Sequence, residues 1–182
     1  EPFTIIGVSS FLPRIETGGP LVKDRVFFEQ SAQFRYRTSD VPSRPQTEVK
    51  RLKNFSSFTR VDANLSKRHS LVAAAGLFPA VTTYSTLGTF TPPEATVDQH
   101  NLATMGALTH RAFWTEGAYS ETLVQVQRAR TEIRPHGAAP MELLPETTVG
   151  NFFNRQERAT TSVQLVHSVS GSREGALGLH LY

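Results

Sequence analysis

From residue 25 to residue 37 hydrophobic and polar positions alternate without a break. One parity carries Val26, Phe28, Gln30, Ala32, Phe34 and Tyr36; the other carries Arg25, Phe27, Glu29, Ser31, Gln33, Arg35 and Arg37. A period of two is the mark of a β-strand with one apolar and one polar face. About a dozen residues is roughly twice the usual strand of a soluble sheet. It approaches what a tilted strand needs to cross a bilayer.

The same alternation recurs along the chain. Residues 9–17 predict a first strand, with Pro13 tolerable on an edge. Residues 55–66 set Phe55, Ser57, Thr59, Val61, Ala63 and Leu65 against a parity that holds Arg60 and Asp62, which therefore share a face. Residues 69–83 are small and apolar on both parities, so periodicity does not orient that strand. Further strands are predicted at 102–114, 120–134, 159–170 and 176–182, the last with Leu177, Leu179 and Leu181 on one face. In residues 120–134, Val124 and Val126 are followed on the same parity by Arg128 and Arg130. Either a bulge switches the parity after Val126, or the arginines sit at a rim.

The predicted links are more informative than any one strand. They run short, long, short, long, short, long, short: residues 18–24, 38–54, 66–69, 84–101, 115–119, 135–158 and 171–175. In an up-and-down sheet this places all short links at one end and all long ones at the other, the asymmetry of outer-membrane barrels. Greek-key sandwiches seldom keep it through seven links. The fold class predicted is all-β: an antiparallel up-and-down meander of about eight long strands, part of a transmembrane β-barrel, or an open curved sheet if the segment stands alone. Phe27, Phe28, Phe113, Trp114 and Tyr119 lie beside short links, and Tyr36, Phe78 and Tyr84 near long ones. Two interfacial aromatic girdles would place them so, although aromatics also favour strands in general.

Composition agrees with this picture. The hydrophobic fraction is 38% of 182 residues, below the usual soluble range of about 45–50%, as expected when every second strand residue faces a polar interior. No run approaches the roughly 18 apolar residues of a membrane helix. There is no cysteine, which excludes disulfides and thiolate metal sites. The net charge is +3, with 15 arginines spread along the chain rather than gathered in the basic patch of a nucleic-acid protein. The opening residue is not methionine, and the sequence is read as an internal segment of a longer protein.

Catalytic and metal motifs are not found. There is no nucleophile elbow, paired carboxylate site or phosphate loop. The six histidines (His69, His100, His110, His136, His167 and His180) include no pair at i, i+2 on one strand. Neither an enzyme, a cofactor nor a metal site is predicted.

The stretch GGPLVKDRVFFEQSAQFRYR, residues 18–37, resembles the first barrel hairpin of TonB-dependent outer-membrane receptors, closest to the Oar-like group. Gly18, Gly19, Pro20, Lys23, Asp24, Phe27 and Phe28 match that marker, and TSDVPSRP, FSSFTRVDANLSKRHSL and FTPPEAT are similar to the same group. Such receptors have 22 strands and a lumenal plug. The resemblance implies that residues 1–182 are a partial barrel domain, its plug and remaining strands absent. It also implies an outer-membrane location and uptake of a bulky solute such as a siderophore or glycan. The partners implied are outer-membrane lipid, the plug and TonB complex of the full-length parent, and a small solute; nucleic acid is not among them. Glu29, Arg35, Arg37, Arg60 and Asp62 would face the lumen, whether to meet plug or solute or simply to hydrate the wall. Arg44, Lys50, Arg51 and Lys53 form a predicted extracellular loop suited to an anionic solute or lipopolysaccharide phosphates, or only to solvent. Two other readings stand beside this one: a complete eight-stranded barrel serving as adhesin or anchor, and a soluble all-β binding module.

Overall fold

The computed structural model describes residues 9–42, 46–115, 117–171, 173–174 and 180–181. Its principal element is one antiparallel meander. β1 (Ser10–Phe11) and β2 (Arg14–Val22) both pair with β3 (Val26–Val41). β4 (Glu48–Asn64), β5 (His69–Thr83), β6 (Val97–Thr115) and β7 (Ala118–Pro135) then follow in order. β8 (Glu142–Leu143) and β9 (Thr148–Val149) form a small hairpin in the link to β10 (Gln156–Gly171), the last long strand. β11 (Arg173–Glu174) pairs with β12 (His180–Leu181). The all-β, up-and-down prediction is met. Most of the predicted strand at 176–182 lies outside the described residues.

β1 and β2 are one strand interrupted at Pro13, which has no N–H to donate. Its carbonyl still accepts from the Phe34 N–H at 3.0 Å. The strands are longer than predicted because polar residues at their ends stay in the ladder. Residues 18–22, read as a link, pair with β3, and only 23–25 form the turn. The long loop predicted at 38–54 loses both its ends to the sheet, since Thr38–Val41 faces Glu48–Arg51 in register. The connections from β2 to β3, β4 to β5 and β6 to β7 share one end of the sheet, and those from β3 to β4, β5 to β6 and β7 to β10 share the other.

Directly paired residues in antiparallel strands project from the same face, so the registers sort the sheet into two sides. On the apolar side, Phe28 aligns through Val61 with Ala73, Leu108, Val124 and Leu165 across six strands. The next row but one, through Ala32 and Ser57, reaches Leu77, Thr104, Arg128 and Thr161. Residues 69–83 are thereby oriented, with Leu71, Ala73, Ala75, Leu77 and Val81 on the apolar side. The register of β7 with both neighbours is unbroken from Ser120 to Ile133. No bulge follows Val126, and Arg128 and Arg130 remain on the apolar face toward its long-link end.

No second layer covers this sheet among the described residues. Val124, Val126, Val163 and Leu165 are between 41% and 70% exposed. Five of the seven buried residues among those described gather at the long-link end, where Ala95, Thr96, Val97, Glu132 and Thr148 are shielded, while Ala112 and Ser120 are buried opposite each other beside the β6–β7 turn. There the two longest links pack on each other: a 3-10 turn at Pro93–Ala95 approaches β9, and the Thr148 N–H donates to Phe90 O at 2.9 Å. The predicted aromatic girdles are not formed. Phe28 and Tyr36 lie on the apolar face, but Phe27, Phe78, Phe113 and Tyr119 fall on the other by register. Adjacent aromatics such as Phe27 and Phe28 must point to opposite sides of a strand.

Candidate functional site: the polar face

Alternation places Glu29, Arg35 and Arg37 on one side of β3, and the β3–β4 register puts Arg60 and Asp62 on that same side. Glu29 lies directly opposite Arg60, Phe27 opposite Asp62, and Arg35 opposite Asn54. The five residues singled out from sequence thus share one face, though not one cluster: Arg35 and Arg37 lie toward the long-link end, Arg60 and Asp62 toward the short-link end.

Arg60 and Asp62 are two apart on β4 and meet through a two-pronged bond, Nε and Nη2 each donating to a carboxylate oxygen at 2.8 Å. A second pair, Arg111 and Glu121, joins β6 to β7, where the two are directly opposed. A third, Arg14 and Glu16, lies on β2. Between the first two pairs runs a cleft of about 430 Å³ floored by Val72, Ala74 and Thr109. The small side chains of β5 lower the floor, and the longer charged ones raise the walls. Charges of opposite sign are paired within each wall, so the cleft offers hydrogen-bonding edges and an apolar base rather than a net field. All the ion-paired side chains lining it are 31–49% exposed, so each pair contributes little to stability.

Sequence reading misses Arg14, Glu16, Arg111 and Glu121 as members of this face. A signal is present: Arg111 and Glu121 flank the 116–117 turn at nearly equal distance, as hairpin partners must.

The predicted loop set is corrected. Lys50, Arg51 and Lys53 stand on β4, held by pairing with Ser39, Thr38 and Tyr36; Arg44 lies outside the described residues. Lys50 Nζ donates to Ser85 O at 2.8 Å, tying the 84–96 link to the sheet. At the same end, but on the parity of Val124 and Arg128, Glu132 accepts from Arg134 Nη2 at 2.6 Å and from Arg155 Nη2. The Tyr84 N–H donates to Asp98 Oδ1 at 3.1 Å, and His136 Nε2 lies 3.5 Å from the same oxygen.

Other histidines sit on the apolar face. His69 stacks on His110, and His167 Nδ1 is 2.9 Å from Thr122 Oγ1. Among the described residues no three His, Cys, Asp or Glu side chains gather in a metal-binding group. Comparison of the chain with protein-family models, with curated proteins and with solved structures found no match.

Proposed function

We propose that this chain is part of the barrel wall of a TonB-dependent outer-membrane receptor, and that the parent protein carries a bulky solute across the bacterial outer membrane. The observation that carries the reading is a single-layer sheet with one uncovered face whose middle rows are apolar, its charged residues gathered toward the long-link end, and an opposite face that carries the Arg60–Asp62 and Arg111–Glu121 pairs. In water such an apolar face is unfavourable by about 25 cal/mol for each Å² left exposed, and a soluble fold would cover it with a second layer. Lipid removes the need for that layer. The opposite face suits a polar lumen, and the grouping of short and long links by end suits tight periplasmic turns and longer outer loops.

In the parent, outer loops would capture the solute, a plug would move under force delivered through TonB, and the solute would pass along the lumenal wall. Glu29, Arg35, Arg37, Arg60 and Asp62 are the wall residues available to plug or solute. β1 and β2 at one edge do not pair with β10 at the other. That separation favours a portion of a larger wall over a closed eight-stranded barrel acting as adhesin or anchor.

The chain has no cysteine, so single-cysteine variants test the membrane reading cleanly. In lipid vesicles, a water-soluble maleimide should label Gln125→Cys, Gln127→Cys and Gln164→Cys and spare Val124→Cys, Val126→Cys and Leu165→Cys. Equal labelling on both parities, or a monodisperse protein without detergent, would sink it. Sequencing the gene on both sides tests the receptor reading. A plug before residue 1 and roughly a dozen or more further strands after residue 182 are expected for a 22-stranded barrel. A signal peptide immediately before and a stop immediately after would make this a small complete barrel without transport.

A further inference from the structure

Two histidines 41 residues apart in sequence meet on the apolar face near the short-link end. His69 opens β5 opposite Ala112, and His110 lies on β6 opposite Leu71. The diagonal between these paired positions sets Nδ1 of His69 3.2 Å from Nε2 of His110 in a hydrogen bond, one nitrogen donating its proton to the other; an ion held by both nitrogens would displace that shared proton. The rings stack with centroids 5.3 Å apart and planes within 8°.

We infer that His69 and His110 form a two-nitrogen site for a late first-row divalent cation of the copper, nickel and zinc class. Two imidazole nitrogens bound to one such ion at about 2.0–2.1 Å stand about 3 Å apart, close to the separation the β5–β6 register already imposes. Little movement of the backbone is then needed, and rotation of the partly exposed rings can aim both lone pairs at one point. Imidazole donors select these ions over calcium and magnesium, which prefer oxygen. The directly paired neighbours of the two histidines on this face are Ala112, Leu71 and Thr122, and the pair lies beyond the Leu108–Val124 row toward the short-link rim, where water completes the coordination. His167 shares the row, but it stands two strands from His110, about 10 Å across the sheet, with Thr122 between them. The site is a pair, not a triad. It does not depend on the transport reading, since it needs only the β5–β6 register.

The test uses the full 182-residue chain without a polyhistidine tag and Cu²⁺ alone as probe. Electron paramagnetic resonance at substoichiometric copper should show coupling to two imidazole nitrogens. His69→Ala and His110→Ala should each leave one nitrogen and weaken binding by about tenfold or more, since loss of even a ligand's outer hydrogen-bond partner costs that much. His167→Ala should change neither. A second measurement needs no variant: Zn²⁺ should protect His69 and His110, and not His167, from diethylpyrocarbonate, read by mass spectrometry. A one-nitrogen signal in the parent chain, copper binding unchanged in the His69→Ala/His110→Ala double variant, or equal protection of all three histidines would overturn the proposal.

Discussion

Gln30 Nε2 donates to Ser57 Oγ at 3.0 Å across β3 and β4, on the apolar face of the sheet. The same amide donates to Ser31 O at 2.9 Å, and the Thr59 hydroxyl donates to Gln30 Oε1. Both amide protons and the carbonyl are therefore used. The polar residues that interrupt the apolar parity of β3 and β4 satisfy one another.

Removing one member of that cluster should cost more than removing all of it. Gln30→Ala leaves two partly buried hydroxyls without their partner and should lower stability by about 1 kcal/mol, the typical net value of such bonds. The triple variant Gln30→Leu/Ser57→Ala/Thr59→Val should be neutral or stabilising in lipid. Urea midpoints in vesicles measure both. A triple variant weaker than Gln30→Ala would mean that this face is solvated.

Arg128 and Val126 share one face in unbroken register, so depth, not orientation, separates them. Val126→Arg should cost about 2–4 kcal/mol if Val126 sits near mid-bilayer, whereas a charge near the interface costs about 0–1. Arg128→Leu should accordingly shift the midpoint little. Arg130 pairs with Glu157 at 2.9 Å with both side chains about half exposed, and Arg130→Ala should cost no more than about 1 kcal/mol. Equal midpoints for Val126→Arg and Arg128→Leu would remove the depth argument.

Which of these relationships can be read in advance follows from the range of the interaction involved. Alternation is local, so residues 25–37 and 55–66 announce their strands and the shared face of Arg60 and Asp62. Strand ends mislead where charge suggests solvation: Lys50, Arg51 and Lys53 look like loop residues, yet their backbones pair with Thr38 and its neighbours. The orientation of β5 is not legible because both its parities are small and apolar; it is set by Leu108 and Val61 on adjacent strands. The His69–His110 contact has no local signature at all, since it depends on the register of two strands. The packing of the two longest links is hidden for the same reason, their contacts being remote in sequence.

Within that packed end, Gly150 is the backbone position least able to change. Its φ is +79°, and a Cβ there would stand 1.8 Å from Pro140 O. Gly150→Ala combines left-handed strain with a backbone clash and should open the 136–155 link. Gly88→Ala meets nothing within 4 Å and should be silent. Amide exchange is expected to quicken across residues 139–151 in the first variant while β3 to β6 keep their protection. Unchanged exchange in Gly150→Ala would exclude this contact.

Glu132 is the electrostatic counterpart of that constraint. It is 5% exposed at the long-link end of β7 and accepts from Arg134 on its own strand and Arg155 in the following link. Arg134 alone would neutralise it, so the bond to Arg155 acts mainly to hold the link against the sheet. Glu132→Gln keeps the size of the side chain and removes the charge that makes both bonds strong. Trypsin should then cut after Arg155 several-fold faster, with little change in the urea midpoint of the sheet. Glu146→Gln, at an exposed position in the same link, should leave cleavage unaltered. Arg155→Lys, followed by cleavage at the new lysine, separates charge from reach: Arg155 holds Glu132 through Nη2 alone, and a lysine keeps the charge on a compact, strongly hydrated ammonium, so release intermediate between parent and Glu132→Gln is expected. Cleavage as slow in Glu132→Gln as in the parent would show that the packing around Thr96 and Thr148 holds the link by itself.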